Sequence, residues 1–139
     1  MEGSLPRLFF LLADPEDRAA VAEALAALHA EIGLDLVPDG PGLRRHLAAG
    51  RLPDLLFMDL AEAEGLALLA ELRADPRTRG LVVIGLSRSW SQPAMDRAYR
   101  GGANAWMTMP LTHTELLDLL HRCLDFWLGA AQLPSRPEP

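Results

Sequence analysis

Five short apolar runs alternate with stretches of helical periodicity, and no other feature narrows the possible folds as much. The runs are Leu8–Ala13, Leu34–Val37, Asp54–Leu60, Leu81–Leu86 and Ala105–Met107. In the third, Leu55, Leu56, Phe57 and Met58 follow one another without the alternation of a half-exposed strand. That pattern predicts a strand covered on both faces, as in a parallel sheet.

The intervening stretches repeat at three- and four-residue intervals, which predicts amphipathic helices. From Pro15 to about Ile32 the stripe is Val21, Leu25, Leu28 and Ile32, with Pro15 in the first turn and Gly33 as the stop. Leu43–Ala49 follows the Pro38–Gly42 loop, Gly65–Ala74 carries Leu66, Leu69 and Leu72, and Gln92–Arg100 ends at Gly101-Gly102. Thr112–Leu128 is the last helix, with Leu116, Leu120, Cys123, Leu124 and Trp127 on its buried stripe. Thr112 or Thr114 is its expected cap, and Thr112 with Glu115 fits a capping box.

Five βα units with short loops require right-handed crossovers, and so a five-stranded parallel sheet wound on both faces. At 139 residues the chain is read as one domain over 1–130, followed by a Pro-rich tail, 131–139, expected to be disordered. No apolar run approaches membrane-spanning length, and no basic region followed by an apolar one opens the chain, which argues against secretion. The single cysteine, Cys123, sits at helical spacing with leucines. It reads as core and fits a reducing, cytoplasmic setting. The net charge of −6 argues against nucleic-acid binding. All thirteen basic residues are arginine, so the chain has no lysine.

In a doubly wound sheet, ligands and chemistry gather at the carboxyl ends of the strands. Here those positions are Asp14, Val37–Asp39, Asp59, Ser87-Arg88 and Thr108–Pro110. Asp59 stands out, because it ends the fully apolar third strand. A cap for the following helix is the competing reading.

The segment Pro53–Leu60 followed by Gly65–Leu69 resembles the phosphoacceptor region of bacterial response-regulator receiver domains. The resemblance continues through Ser87, then Gly102–Trp106 and Pro110, and through Asp14–Arg18 at the first helix, covering roughly residues 5–128. It implies that Asp59 accepts a phosphoryl group from a histidine kinase and that Ser87 and Trp106 are the switch residues. It also implies a proline at position 110 that is often cis in that family.

The departures from the family pattern are specific. Receivers usually hold Mg²⁺ with two carboxylates at the end of the first strand. Those positions are Leu12 and Ala13 here, and Asp14 falls one place later. The lysine expected before the proline is Met109, and the loop after Asp59 is two residues shorter and lacks its proline. Mg²⁺ needs converging oxygen ligands, so at most a weak site through Asp59 and Asp14 is expected. Arg88 is a candidate for the missing positive charge, against a plain solvated arginine. Without metal and lysine, the charge on a phosphorylated Asp59 has little to offset it.

Three adjacent large residues, Phe126, Trp127 and Leu128, cannot all face inward on a helix, since neighbours lie about 100° apart. At least one is expected at a partner or dimer surface, formed with the fourth helix, fifth strand and fifth helix as in the family. The four histidines lack metal-ligand spacing, and no Gly-rich phosphate loop or nucleophile–histidine pair appears. The expected function is therefore a stand-alone, non-enzymatic, atypical receiver acting through protein contacts, with weak or absent phosphorylation. The rivals are a conventional phosphoryl-accepting regulator and a small cofactor-binding or catalytic domain on a flavodoxin-like scaffold.

Overall fold

The computed structural model describes residues 5–130; the tail expected to be disordered lies outside them. The elements run β1 (Arg7–Leu11), α1 (Pro15–Ala27), β2 (Gly33–Val37), α2 (Gly40–Ala48), β3 (Leu55–Met58), α3 (Ala63–Ala74), β4 (Val82–Ser87), α4 (Gln92–Arg100), β5 (Ala105–Thr108) and α5 (His113–Leu124). A π-helical turn, Asp125–Ala130, continues α5. The five strands form one parallel sheet in the order β2-β1-β3-β4-β5.

The runs of β1, β3 and β4 are buried on both faces of the sheet, as the unbroken apolar third run predicts, whereas the edge strands β2 and β5 are only partly buried. Leu8, Phe10, Leu55, Phe57, Val82, Ile84 and Leu86 pack under α1 and α5. Phe9, Leu56, Met58 and Val83 pack under α2, α3 and α4. Phe10 and Phe57, in register on adjacent strands, stack with centroids 4.1 Å apart. The chain winds one way from β1 to β2, then crosses back over β1 to β3, so the order reverses between β1 and β3. Their carboxyl ends flank the crevice where such sheets bind ligands.

Several boundaries differ from the sequence expectation. β1 stops at Leu11, so Leu12 and Ala13 belong to the following loop. The first helix ends at Ala27 rather than near Ile32, and His29 takes a positive φ of 53° just beyond it. Leu28 and Ile32 still pack against the core from that loop, which is why the apolar spacing outlasts the helix. α2 begins inside the Pro-Gly run, because the Asp39 carboxylate accepts the Gly42 N–H at 2.8 Å and Pro41 fits the first turn. Thr112 caps α5, its hydroxyl accepting the Glu115 N–H and donating to the Glu115 carboxylate. Met109–Pro110 is trans rather than cis; there is no cis peptide bond among the described residues.

Arg73 fastens the opposite edge of the sheet. From α3 it donates to the carbonyls of Gly102, Leu81 and Arg79 and to the Asn104 side chain, at 2.7–3.1 Å. Asn104 in turn accepts the Val83 N–H at 2.8 Å. Burial lowers the Arg73 pKa from its usual value, a cost that these acceptors offset. Gly102 is required there, since its φ is +108° and a Cβ would lie 2.9 Å from Arg73 Nε. Among the described residues, no helix is long and apolar enough to cross a membrane.

Candidate functional site

A cleft of about 500 Å³ opens at the carboxyl edge of β1, β3 and β4 and reaches the β2–α2 loop and the start of α3. It gathers most of the residues singled out in the sequence: Leu12, Ala13, Asp14, Asp59, Ser87, Arg88 and Met109 all line it. Trp106, Pro110 and the 126–128 segment do not.

Asp59 follows the last residue of β3 and is partly buried. Its Oδ1 accepts the Ala61 N–H at 2.9 Å, so it caps a turn rather than the helix. The helix starts at Ala63 behind Glu62, which makes no side-chain cap. Gly65 is what permits this shortened loop. A Cβ there would lie 1.9 Å from the Asp59 carbonyl oxygen, so the first turn of α3 rides directly on the backbone of Asp59.

Ser87 ends β4 with 3% of its surface exposed, and its Oγ accepts the Ser89 N–H at 3.1 Å. Met109, buried at 5%, is anchored by its N–H to the Ser87 carbonyl at 2.8 Å and puts a thioether chain where a lysine was expected.

In the loop after β1, Leu12 and Ala13 carry no side-chain oxygen. Leu12 is a core residue, its N–H bonded to the Val37 carbonyl at 3.0 Å. Ala13 is exposed. Asp14 caps α1, its Oδ1 accepting the Glu16 N–H at 2.9 Å. Arg18 turns back and donates to the carbonyls of Leu12 and Ala13. Asp59 and Asp14, the carboxylates of the expected weak Mg²⁺ site, each accept one backbone N–H through Oδ1. Among the described residues, no three His, Cys, Asp or Glu side chains converge to hold a metal. Arg88 reaches across the cleft mouth to the Asp17 carboxylate, which raises the guanidinium pKa. It is thus an exposed rim residue that is ion-paired.

Trp106, in register with Gly85, is half-buried and lays its ring edge 3.3 Å from where a Gly85 Cβ would stand. Its indole Nε1 is buried with no hydrogen-bond partner among the described residues. Phe126 is exposed, while Trp127 and Leu128 pack against the core. Three of the four histidines are exposed, and His46 tilts against Phe9. Sequence reasoning missed Arg18, Arg73 and Asp17; their partners are backbone carbonyls or distant side chains, which leave no local signature.

No family model matches the sequence. Over 96 residues the chain is 29% identical to "Probable methanogenesis regulatory protein FilR2" of Methanothrix harundinacea, a match covering 67% of this chain and 62% of that protein. It is 23% identical over 143 residues to response regulator Rcp1 of Synechocystis, covering 96% of this chain and 97% of Rcp1. Among solved structures, the phosphorylated cyanobacterial phytochrome response regulator RcpA superposes with a TM-score of 0.85 and 26% identity, over 95% of this chain and all of that one. The structural neighbours are response-regulator receiver domains.

Proposed function

We propose that this response-regulator receiver domain is an atypical one, which signals through protein contacts with little or no phosphorylation of Asp59. One observation carries the reading. Asp59 and Ser87 line the cleft, but Leu12, Ala13 and Met109 occupy the places where carboxylates and lysine would offset phosphoryl charge. Phosphoryl transfer relies almost wholly on such electrostatic stabilisation. The two rim arginines do not supply it, since Arg88 pairs with Asp17 and Arg44 with Glu71. The role is that of a signalling module without catalytic residues, and a histidine kinase or another signalling protein is its partner.

The partner surface is assigned to α4, β5 and α5, where Tyr99 on α4, Leu111 in the β5–α5 loop and Phe126 in the turn that continues α5 are exposed. Phe126 is the residue of the 126–128 segment available to a second copy.

Incubating the protein with a small phosphodonor and Mg²⁺ and recording intact mass tests the reading. No adduct is expected; a stable one that disappears in Asp59→Ala would overturn it and establish a conventional phospho-switch. The description of RcpA as phosphorylated favours that second reading. A chromophore or nucleotide carried through purification would instead mark a cofactor-binding domain.

A further inference from the structure

We propose that a strip of arginines on the edge opposite the cleft is a docking surface for a short acidic segment, a run of Asp and Glu, of a partner protein. The inference goes beyond the assignment of α4, β5 and α5, and it does not depend on whether Asp59 is phosphorylated.

Asp and Glu outnumber Arg by 19 to 13 in this chain, and several arginines are accordingly neutralised. Arg44, Arg51, Arg88 and Arg122 each lie against a carboxylate. Arg77 and Arg79, in the loop before β4, and Arg97 and Arg100, in the last turn of α4, are exposed. None of these four is ion-paired among the described residues. Both segments lead into the amino ends of strands, so they lie at the edge away from the cleft.

Arg73 brings the two segments together. One of its terminal nitrogens donates to the Arg79 carbonyl at 2.8 Å, and the other to the Gly102 carbonyl at 2.7 Å. A single planar group thus fixes the α3–β4 loop beside the end of α4. Its partners are carbonyl and amide oxygens, so no carboxylate neutralises it and its charge adds to the strip. Thr78, between Arg77 and Arg79, is 3% exposed and donates to the Leu72 carbonyl at 2.8 Å. The loop is therefore anchored from within while the arginines on either side stay exposed. Arg77 also donates to the Leu47 carbonyl, which carries the strip to the end of α2. A Cβ at Gly80 would meet nothing within 4 Å, so the surface beside Arg79 is open.

Guanidinium groups held in place suit carboxylates, which they bind through paired hydrogen bonds. The size of the strip selects a short segment. Nucleic acid carries a charge about every 1.7 Å of duplex and would run past the strip onto a chain of net charge −6. An anionic bilayer, whose attraction is to clustered basic residues, would press its plane against Glu71, Asp75 and Asp96, exposed carboxylates on or beside the same helices.

The test is a titration of the ¹⁵N-labelled full chain with hexaglutamate, compared with neutral hexaglutamine, a short oligothymidylate and phosphatidylserine vesicles. Hexaglutamate is expected to give saturable amide shifts at Arg77, Arg79, Arg100 and Gly102 that weaken with added salt, and hexaglutamine none. Arg79→Gln and Arg100→Gln remove exposed groups that have no side-chain partner among the described residues, so both variants should fold. Each should weaken binding about two- to fivefold, and the pair about tenfold. Arg122→Gln removes the same charge from α5, away from the strip, and should leave the affinity unchanged. Unsaturable shifts, shifts elsewhere, equal binding of hexaglutamine, or tighter binding of the oligothymidylate or the vesicles would overturn the proposal. So would unchanged binding in the folded double variant, or a loss in Arg122→Gln equal to that in either single variant.

Discussion

The guanidinium of Arg18 donates a 2.8 Å hydrogen bond to the carbonyl oxygen of Leu12, and the same nitrogen reaches Ala13. A cation from α1 therefore holds the backbone of the loop in which receivers place their metal ligands. Removing it leaves two carbonyls with only water. Arg18→Met is expected to cost about 1–2 kcal/mol, read as a lower midpoint in urea denaturation with an unchanged slope.

Placing carboxylates at positions 12 and 13 separates local chemistry from packing. Ala13 is exposed, so Ala13→Asp should fold normally and raise Mg²⁺ affinity, measured by isothermal titration. Leu12 is buried among Phe10, Phe57 and Leu116, so Leu12→Asp should cost about 3 kcal/mol or more as an unpaired buried carboxylate. Equal tolerance of the two substitutions would contradict the assignment of Leu12 to the core.

Gly65 is expected to be intolerant of any side chain. Its Cβ would stand 1.9 Å from the Asp59 carbonyl, so Gly65→Ala must push α3 away from the end of β3. A loss of at least about 2 kcal/mol is expected, with amide shifts centred on Asp59. A stabilised protein, the usual gain for Gly→Ala in a helix, would refute the contact.

Arg73 serves several acceptors at once, and its loss would orphan carbonyls on two loops. Arg73→Met should cost about 2–3 kcal/mol and loosen the start of β5, seen as faster hydrogen exchange at Asn104 and Ala105. Arg73→Lys should recover only part of the loss, because an ammonium lacks the planar fork.

Cys123 is buried, and burial pushes its thiol from 9.0 up to about 11. Iodoacetamide at neutral pH should modify it far more slowly in the native than in the urea-unfolded protein, as read by mass. The pH dependence follows from the raised pKa. The thiol's contribution is complete below pH 9 and lost as pH rises from about 9 to 11, because the unfolded state ionises first. Cys123→Ser should flatten that part of the stability profile.

The sheet and its functional edge were legible in the residues because burial on two faces demands uninterrupted apolar runs, and those runs end where Asp59 and Ser87 begin. The residue types at positions 12, 13 and 109, on which the proposed atypical reading rests, are read directly from the sequence. Helix ends were less so: Leu28 and Ile32 keep helical spacing while packing from a loop, so apolar periodicity reported burial rather than backbone conformation.

What the sequence determined alone is thus the fold and the residue types that stand at the strand ends. Only the tertiary structure decided which charges are spent. Arg88 and Asp17 are 71 residues apart in the chain, and Arg73 and Gly102 are 29 apart. Such pairings follow from where the crossovers bring side chains together, and a long arginine carries no local mark of the acceptor it will reach.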